Sequence, residues 1–352
     1  LLALHYQPDA EVCYVLMAGG IPACNSALQL HTISCYGDRC QMIYQPERAT
    51  PYTLRAGEQL LNTFRKATLI DALQRQDFAT AFTLSHYLEN LHKSVISLIA
   101  YAHYREAFDF EQAREALETS IQQARGHMRT FMRQLRDEMD DLVAREDMGV
   151  LLRELLANAA ITYRNGRYAD FLGRVFRFQE ATLRYIIETK MDLPTDMSKD
   201  KRDINEPRFI QTINDNPALK AFLDARTIEG NPLRYDTPNL PTMQAMLDYI
   251  TAPQNPGTRA DGTPYLNKNE QGPYIGVKKL LDKLNALSTL RNQSIIAHGF
   301  MGVSRHRLEE TYKGDPLQDL LTVGEKLLGT QFSTSPFEQI AQLCIEQIRR
   351  GG

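Results

Sequence analysis

The sequence contains no apolar run of about 18 residues, the length a membrane-spanning helix requires, so no membrane partner is expected. It has no C-x-x-C spacing. Its five cysteines (Cys13, Cys24, Cys35, Cys40 and Cys344) are an odd number in a chain of 352 residues. That argues against a disulfide framework and against a cysteine zinc site, and it points to a reducing, cytoplasmic compartment. Charge of one sign is also lacking. The formal net charge is −3, so no global field draws the protein to nucleic acid, and any such site has to be a local basic patch. No signal peptide is expected, and no low-complexity tract or convincing repeat is found. The chain starts at Leu1 instead of Met, and segments ahead of it are expected to be missing from the sequence. What remains is ordinary for a soluble globular protein, with 43% hydrophobic and 24% charged residues, and the length suggests two or three domains.

The first 50 or so residues have an α/β pattern. "EVCYVLMAGG" is a short apolar run ending in two glycines, which suits a buried strand. "IPACNSALQLHTISCYG" comes next as a loop and a helix, with Asn25 or Ser26 as candidate caps and Gly37 as the stop. "QMIYQPE" reads as a second strand, and strand, glycine turn, helix and strand together make one βαβ unit. One unit cannot close a doubly wound sheet, so earlier strands are inferred to lie outside this chain. From Leu54 to about Lys190 the periodicity is helical, with hairpin breaks at "RQDFATAF" and "RNGRYADF". Residues 191–275 are rich in Pro, Asn, Asp and Gly and predict short helices joined by irregular loops. A long helix is expected from about Ile275 to Ala297. A last helix is expected over "SPFEQIAQLCIEQIRR", capped by Ser335 with Pro336 in its first turn.

The stretch "LRNQSIIAHGF" interrupts this pattern. The preceding helix carries an apolar stripe of Val277, Leu280, Leu281, Leu284 and Leu287, and its continuation reaches Arg291, Ser294, Ile295 and His298. If the helix continues, Arg291 and His298 share a face about 10 Å apart along the axis. Either they reach water, with Arg291 paired to a carboxylate and His298 at the helix end, or they point into a shared cleft or interface. The pair suits the metal-free cutting of RNA, in which a ribose 2′-OH attacks its own phosphate. Histidine moves the proton, and the planar arginine fork stabilises the phosphate charge. Asn292 is placed to orient the histidine or bind phosphate, or else is simply solvated. Downstream, Arg305, His306 and Arg307 either guide RNA phosphates or form a solvated charged turn. No cofactor is expected and no metal ligand set is recognised.

"RNQSIIAH" resembles the HEPN ribonuclease motif R-(N/H/D)-x4–6-H, and "RNGRYADFLGRVFRFQEATLRYI" resembles the first helices of HEPN domains. "AGGIPACNSALQL" resembles the glycine turn of the CARF nucleotide-sensing fold. The order of CARF, helical linker and HEPN is that of type III CRISPR ancillary ribonucleases. The resemblance implies an α/β Rossmann-like CARF remnant followed by a mostly α-helical region ending in a HEPN helical bundle. The expected divisions are a partial sensor domain at 1–53, a helical linker at 54–150 and a HEPN domain at 151–352 with a loop-rich insertion at about 191–275. It further implies a homodimer that pairs two motifs across one cleft, single-stranded RNA as substrate and a cyclic oligoadenylate as activator. The catalytic candidates are Arg291, Asn292 and His298, and the RNA-binding candidates are Arg305 and Arg307.

The ligand candidates are Gly19, Gly20, Asn25 and Ser26. A glycine turn leading into a helix lets backbone N–H groups approach an anion, although it also serves as a plain tight turn. The sequence departs from the family pattern here, since no acidic residue directly precedes the glycines and the first strand is absent. "GGIPAC" lacks the G-x-G-x-x-G spacing of NAD sites. Two other readings compete with ligand-controlled cleavage. One is a toxin-type HEPN ribonuclease without ligand control, and the other is a non-catalytic helical RNA-binding or scaffold protein.

Overall fold

The computed structural model describes residues 7–17, 19–88, 91–144, 147–228, 230–329 and 335–350. The chain divides into two compact units, one of Leu1–Tyr104, Glu115–Arg125 and Ile340–Gly352, the other of Arg105–Arg114 and Gly126–Gln339.

In the first unit the βαβ pattern is present as β1 (Cys13–Leu16), α1 (Pro22–Tyr36), a 3₁₀ turn (Gly37–Arg39) and β2 (Cys40–Tyr44). The strands run parallel, with Cys13 opposite Cys40. Gly37 ends α1 as expected, because its φ of 62° suits glycine and its N–H bonds to the Ile33 carbonyl. Val15, Ile33, Tyr36, Cys40 and Met42 form the small core. Three details differ from the sequence reading. β1 is only half buried, since Tyr14 and Leu16 are exposed on either side of buried Val15. α1 begins at Pro22 with Ile21 as its cap, so Asn25 and Ser26 lie inside the first turns and cap nothing. A third strand, β3 (Tyr52–Leu54), pairs antiparallel with β2 before the helices begin. α2 (Ala56–Gln74) and α3 (Phe78–Ser85) then form a hairpin at the expected break, where Gln76 takes a φ of 57° and Asp77 caps α3. α4 (Lys93–Glu106) and α5 (Phe110–Gln123) each contribute residues to both units.

The second unit is a helical bundle built on α7 (Met148–Arg164) and α8 (Tyr168–Met191), preceded by α6 (Gly126–Ala144). α7 and α8 pack as a hairpin around Gly166, whose φ is 72°. α8 buries Phe171, Leu172, Val175, Phe178 and Ile186 at helical spacing. Each buried phenylalanine contributes about 1.5–3 kcal/mol relative to an exposed one. The Pro- and Asn-rich segment contains α9 (Arg202–Asn214), α10 (Pro217–Asp224), a two-stranded ribbon of β4 (Thr227–Ile228) and β5 (Asn231–Pro232), and α11 (Leu240–Ile250), which packs on α8. Among the described residues, no helix is long and apolar enough to cross a membrane.

The expected long helix is not continuous. α12 (Lys268–Leu284) gives way to a 3₁₀ turn (Asn285–Leu287) and then to α13 (Ser288–Gln293). The buried Gln179 of α8 explains the break. Its amide donates to the Asn285 side chain (2.8 Å) and to the Leu281 carbonyl (3.2 Å), the group that a continuing helix would pair with the Asn285 N–H. The apolar stripe still holds through Leu284, Leu287 and Leu290, all buried. Beyond it, "SRHRLEETY" folds as the capped helix α14 (Arg305–Tyr312) and not as a turn. α15 (Pro316–Leu328), which sequence periodicity did not reveal, packs on α7 and α12. α16 (Pro336–Arg350) opens as expected, with the Glu338 N–H bonded to Ser335.

Candidate functional site

α13 stops at Gln293, and this changes the geometry of the motif. The N–H and the hydroxyl of Ser294 both donate to the Arg291 carbonyl, at 3.1 and 2.8 Å, and the backbone of Ser294 turns extended (φ −91°, ψ 168°). A side chain that competes for the last helical carbonyls in this way favours termination. Residues 295–298 form a turn. It is closed by bonds from Ala297 N–H and Gly299 N–H to the Ser294 carbonyl, both 3.1 Å, and from Met301 N–H to the Gln293 carbonyl, 2.9 Å. Arg291 and His298 therefore do not share a helix face. Arg291 sits in the last helical turn and His298 at the far end of the adjoining turn, and both are exposed.

Each half of the motif is anchored separately. The Arg291 guanidinium lies 4.9 Å from the centroid of the Phe176 ring on α8, a cation–π contact that orients its fork. Ile296 packs over Gly173 of the same helix, where an added Cβ would stand 3.7 Å from its methyl carbons. Gly299 presses so close to Gln293 that a Cβ there would lie 1.9 Å from the Gln293 carbonyl oxygen. Only glycine fits this approach. Ser294 is fully buried, Asn292 is exposed, and among the described residues the His298 ring makes no hydrogen bond. Sequence reasoning did not single out Phe176, Gly173 or Gly299. The only signal was their position inside "FLGRVFRF" and directly after the histidine.

Close in sequence, the motif carries cations and no carboxylate. Positions 285–308 contain no Asp or Glu, yet they include Arg291, His298, Arg305, His306 and Arg307. Arg305 and Arg307 both have partners. The Arg305 Nε donates to Glu309 at 2.7 Å, and the Tyr163 hydroxyl donates to the same carboxylate at 3.1 Å. Arg305 holds the Glu309 carboxyl below its ordinary value, and Glu309 in turn raises Arg305. Burial first, and then Glu309, pushes the Tyr163 phenol up. Arg307 bonds the Gly302 carbonyl at 3.2 Å and so braces the loop behind Phe300. Beside the motif, a cleft of about 1090 Å³ runs along α8, lined among others by Ile296 and Gly173 and by a mixture of arginines (Arg174, Arg177, Arg184) and acids (Asp170, Glu180, Glu188). Its arginines are mostly engaged: Arg177 and Arg184 share Glu180, and Arg174 donates to the buried Asn158.

In the first unit, Gly19 and Gly20 adopt φ values of 72° and 84°, which glycine tolerates and other residues rarely adopt. The turn comes after the carboxyl end of β1 and leads into α1, the place where α/β folds hold ligands. The Asn25 amide donates to the Gly19 carbonyl at 2.8 Å, and its Oδ1 faces Gly20, so Asn25 braces the turn. Ser26 is not gathered with them. It lines a shallow groove with Gln29, Leu30 and Gln59.

A family model for the Cas_Csm6 HEPN domain matches residues 142–336, more than half of the chain and the whole of the Arg291–His298 segment. A solved structure of Enterococcus italicus Csm6 bound to cyclic hexa-2'-fluoro-hexa-dAMP is similar in fold, with a TM-score of 0.51 and 13% sequence identity over 98% of this chain and 76% of that one. No curated protein matches.

Proposed function

This chain belongs to the Cas_Csm6 HEPN family, and on that premise we propose that it is a CRISPR-associated ribonuclease that cuts single-stranded RNA without a metal ion. The observation that carries the reading is the motif itself: a forked cation and an imidazole, both exposed, held at the two ends of a backbone-clamped turn in a stretch free of carboxylates. In the proposed reaction His298 takes the proton from a ribose 2′-OH. The 2′-oxygen bonds to phosphorus, the bond from phosphorus to the 5′-oxygen breaks, and the leaving oxygen takes up a proton. Arg291 holds the phosphoryl oxygens as their charge grows. Asn292, exposed in the last turn of α13, is the candidate to steady the phosphate. One arginine and one histidine form a sparse site, and a homodimer that brings two motifs to one cleft supplies the second set. The cytoplasm is the expected compartment. The test is cleavage of single-stranded RNA in EDTA, with products ending in 2′,3′-cyclic phosphate and 5′-OH. Activity that vanishes with EDTA, or 3′-OH ends, would overturn this chemistry.

The finer reading is that a cyclic oligoadenylate binds the glycine turn of the first unit and activates cleavage. The bound ligand of the E. italicus structure supports that ligand class, and the positive-φ glycines followed by a helix start support the place. Gly20→Glu adds a carboxylate where an anion would approach, on a backbone with a φ of 84° and with its Cβ 3.3 Å from Asn25 Oδ1. It is expected to abolish binding of cyclic oligoadenylates in calorimetry, and unchanged affinity would put the site elsewhere. Arg291→Lys keeps the charge but loses the fork that stacks on Phe176, so kcat should fall about 10²-fold. A drop smaller than about threefold would reduce Arg291 to a diffuse electrostatic role.

A further inference from the structure

Directly after Gly299 the chain displays a phenylalanine with almost nothing around it. Phe300 is 96% exposed, the most exposed of the large apolar side chains described. Its backbone is not loose. Gly299 is clamped to Ser294 and pressed on Gln293, Met301 bonds back to Gln293, and the Arg307 guanidinium holds the Gly302 carbonyl. The ring thus stands out from a pinned tetrapeptide, and among the described residues neither an aromatic ring nor a cation stacks on it.

Ile296, Met301 and Val303 on the same loop all pack against the core of their unit, whereas Phe300 does not. An open, rigidly mounted aromatic ring two residues from a phosphate-cleaving histidine is what a nucleobase needs for stacking, and bases of every kind stack because each has a π-face. Charge narrows the choice of occupant. The ring lies within stretch 285–308, which holds no carboxylate; Arg305 and His306 are paired with Glu309 and Glu310 just beyond it, whereas Arg291 and His298 form no ion pair among the described residues, and these two cationic groups favour a polyanion.

We propose that Phe300 is a stacking platform for a nucleobase of the single-stranded RNA substrate, next to the scissile phosphate. This rests on the ribonuclease reading for the identity of the ligand, but binding can be measured without cleavage. Stacking registers the chain at the clamped loop and so presents one phosphate to Arg291 and His298. Cation contacts alone leave the strand free to slide.

The sequence contains no tryptophan, so Phe300→Trp introduces a single fluorescent indole at the platform. Titrating this variant with a single-stranded RNA carrying a 2′-deoxy residue at the cut site should quench its emission. An abasic strand of the same length, which offers the same phosphates and no bases, should not. In parallel, Phe300→Ala should raise KM about 10-fold with kcat little changed, and Phe300→Trp should restore KM. An unchanged KM in Phe300→Ala, or equal quenching by the abasic strand, overturns the platform and leaves the nuclease reading intact. Emission that responds to protein concentration and not to RNA also overturns it, and assigns the ring to contact between copies. A wild type that neither cuts nor binds RNA overturns the nuclease reading and the platform together. Quenching by intact RNA without any cleavage keeps the platform and removes only the catalysis.

Discussion

His298→Ala is expected to reduce RNA cleavage by about 10²–10⁴-fold, the contribution of a positioned acid–base group, with folding and self-association retained. The ring is exposed and makes no hydrogen bond among the described residues. Its removal therefore deletes neither core volume nor a partner that another group depends on, and such surface changes normally shift stability by less than about 0.5 kcal/mol. Activity and stability should separate cleanly. Kinetics on a short fluorogenic RNA give the first quantity, and thermal denaturation with size-exclusion chromatography gives the second. A correctly folded His298→Ala protein that cuts at the wild-type rate would end the ribonuclease assignment at this motif.

Gly299→Ala should be nearly as damaging, although it removes no reacting group. A single methyl at this position would lie 1.9 Å from the Gln293 carbonyl oxygen, so the turn has to open. The bonds from Gly299 to Ser294 and from Met301 to Gln293 then lengthen, and His298, the adjacent residue, moves with them. Misplacement by about 1 Å can cost about 10²-fold in rate, and kcat should fall by at least that much. Gly302→Ala is the control on the same loop. Nothing lies within 4 Å of a Cβ built there, and its activity should stay within about threefold of wild type. Equal rates for the two variants would mean that the clamp does not position the histidine.

Patterns that depend on neighbouring residues are legible in the sequence. "EVCYVLMAGG", Gly37 and "QMIY" yield the βαβ unit, and the breaks at "RQDFATAF" and "RNGRYADF" fall where Gln76 and Gly166 take positive φ. The stripe from Val277 to Leu287 marks a buried face that continues to Leu290. The features that are not legible depend on particular hydrogen bonds, distant or local. The break after Leu284 depends on Gln179, 106 positions before Asn285, and the stop at Gln293 on one serine hydroxyl choosing the Arg291 carbonyl. Hydrophobic spacing contains neither fact, so spacing alone extends the helix through the motif and places both candidates on one face. The opening of α1 departs from expectation for a local reason: Pro22 is a good first helical residue, and it outweighs Asn25 and Ser26 as a start signal. β3 is three residues long, with all three exposed, and offers no periodicity to detect.

The clamp between Gln293–Ser294 and Gly299–Met301 also bears on how the motif can vary in length. Along a helix every inserted residue rotates the downstream chain by about 100°, so a histidine one position later would face away from its arginine. Here the intervening residues form a closed loop whose two ends are tied to each other. In this chain the relative placement of Arg291 and His298 is therefore set by the backbone ties at Ser294 and Gly299 and not by helical periodicity.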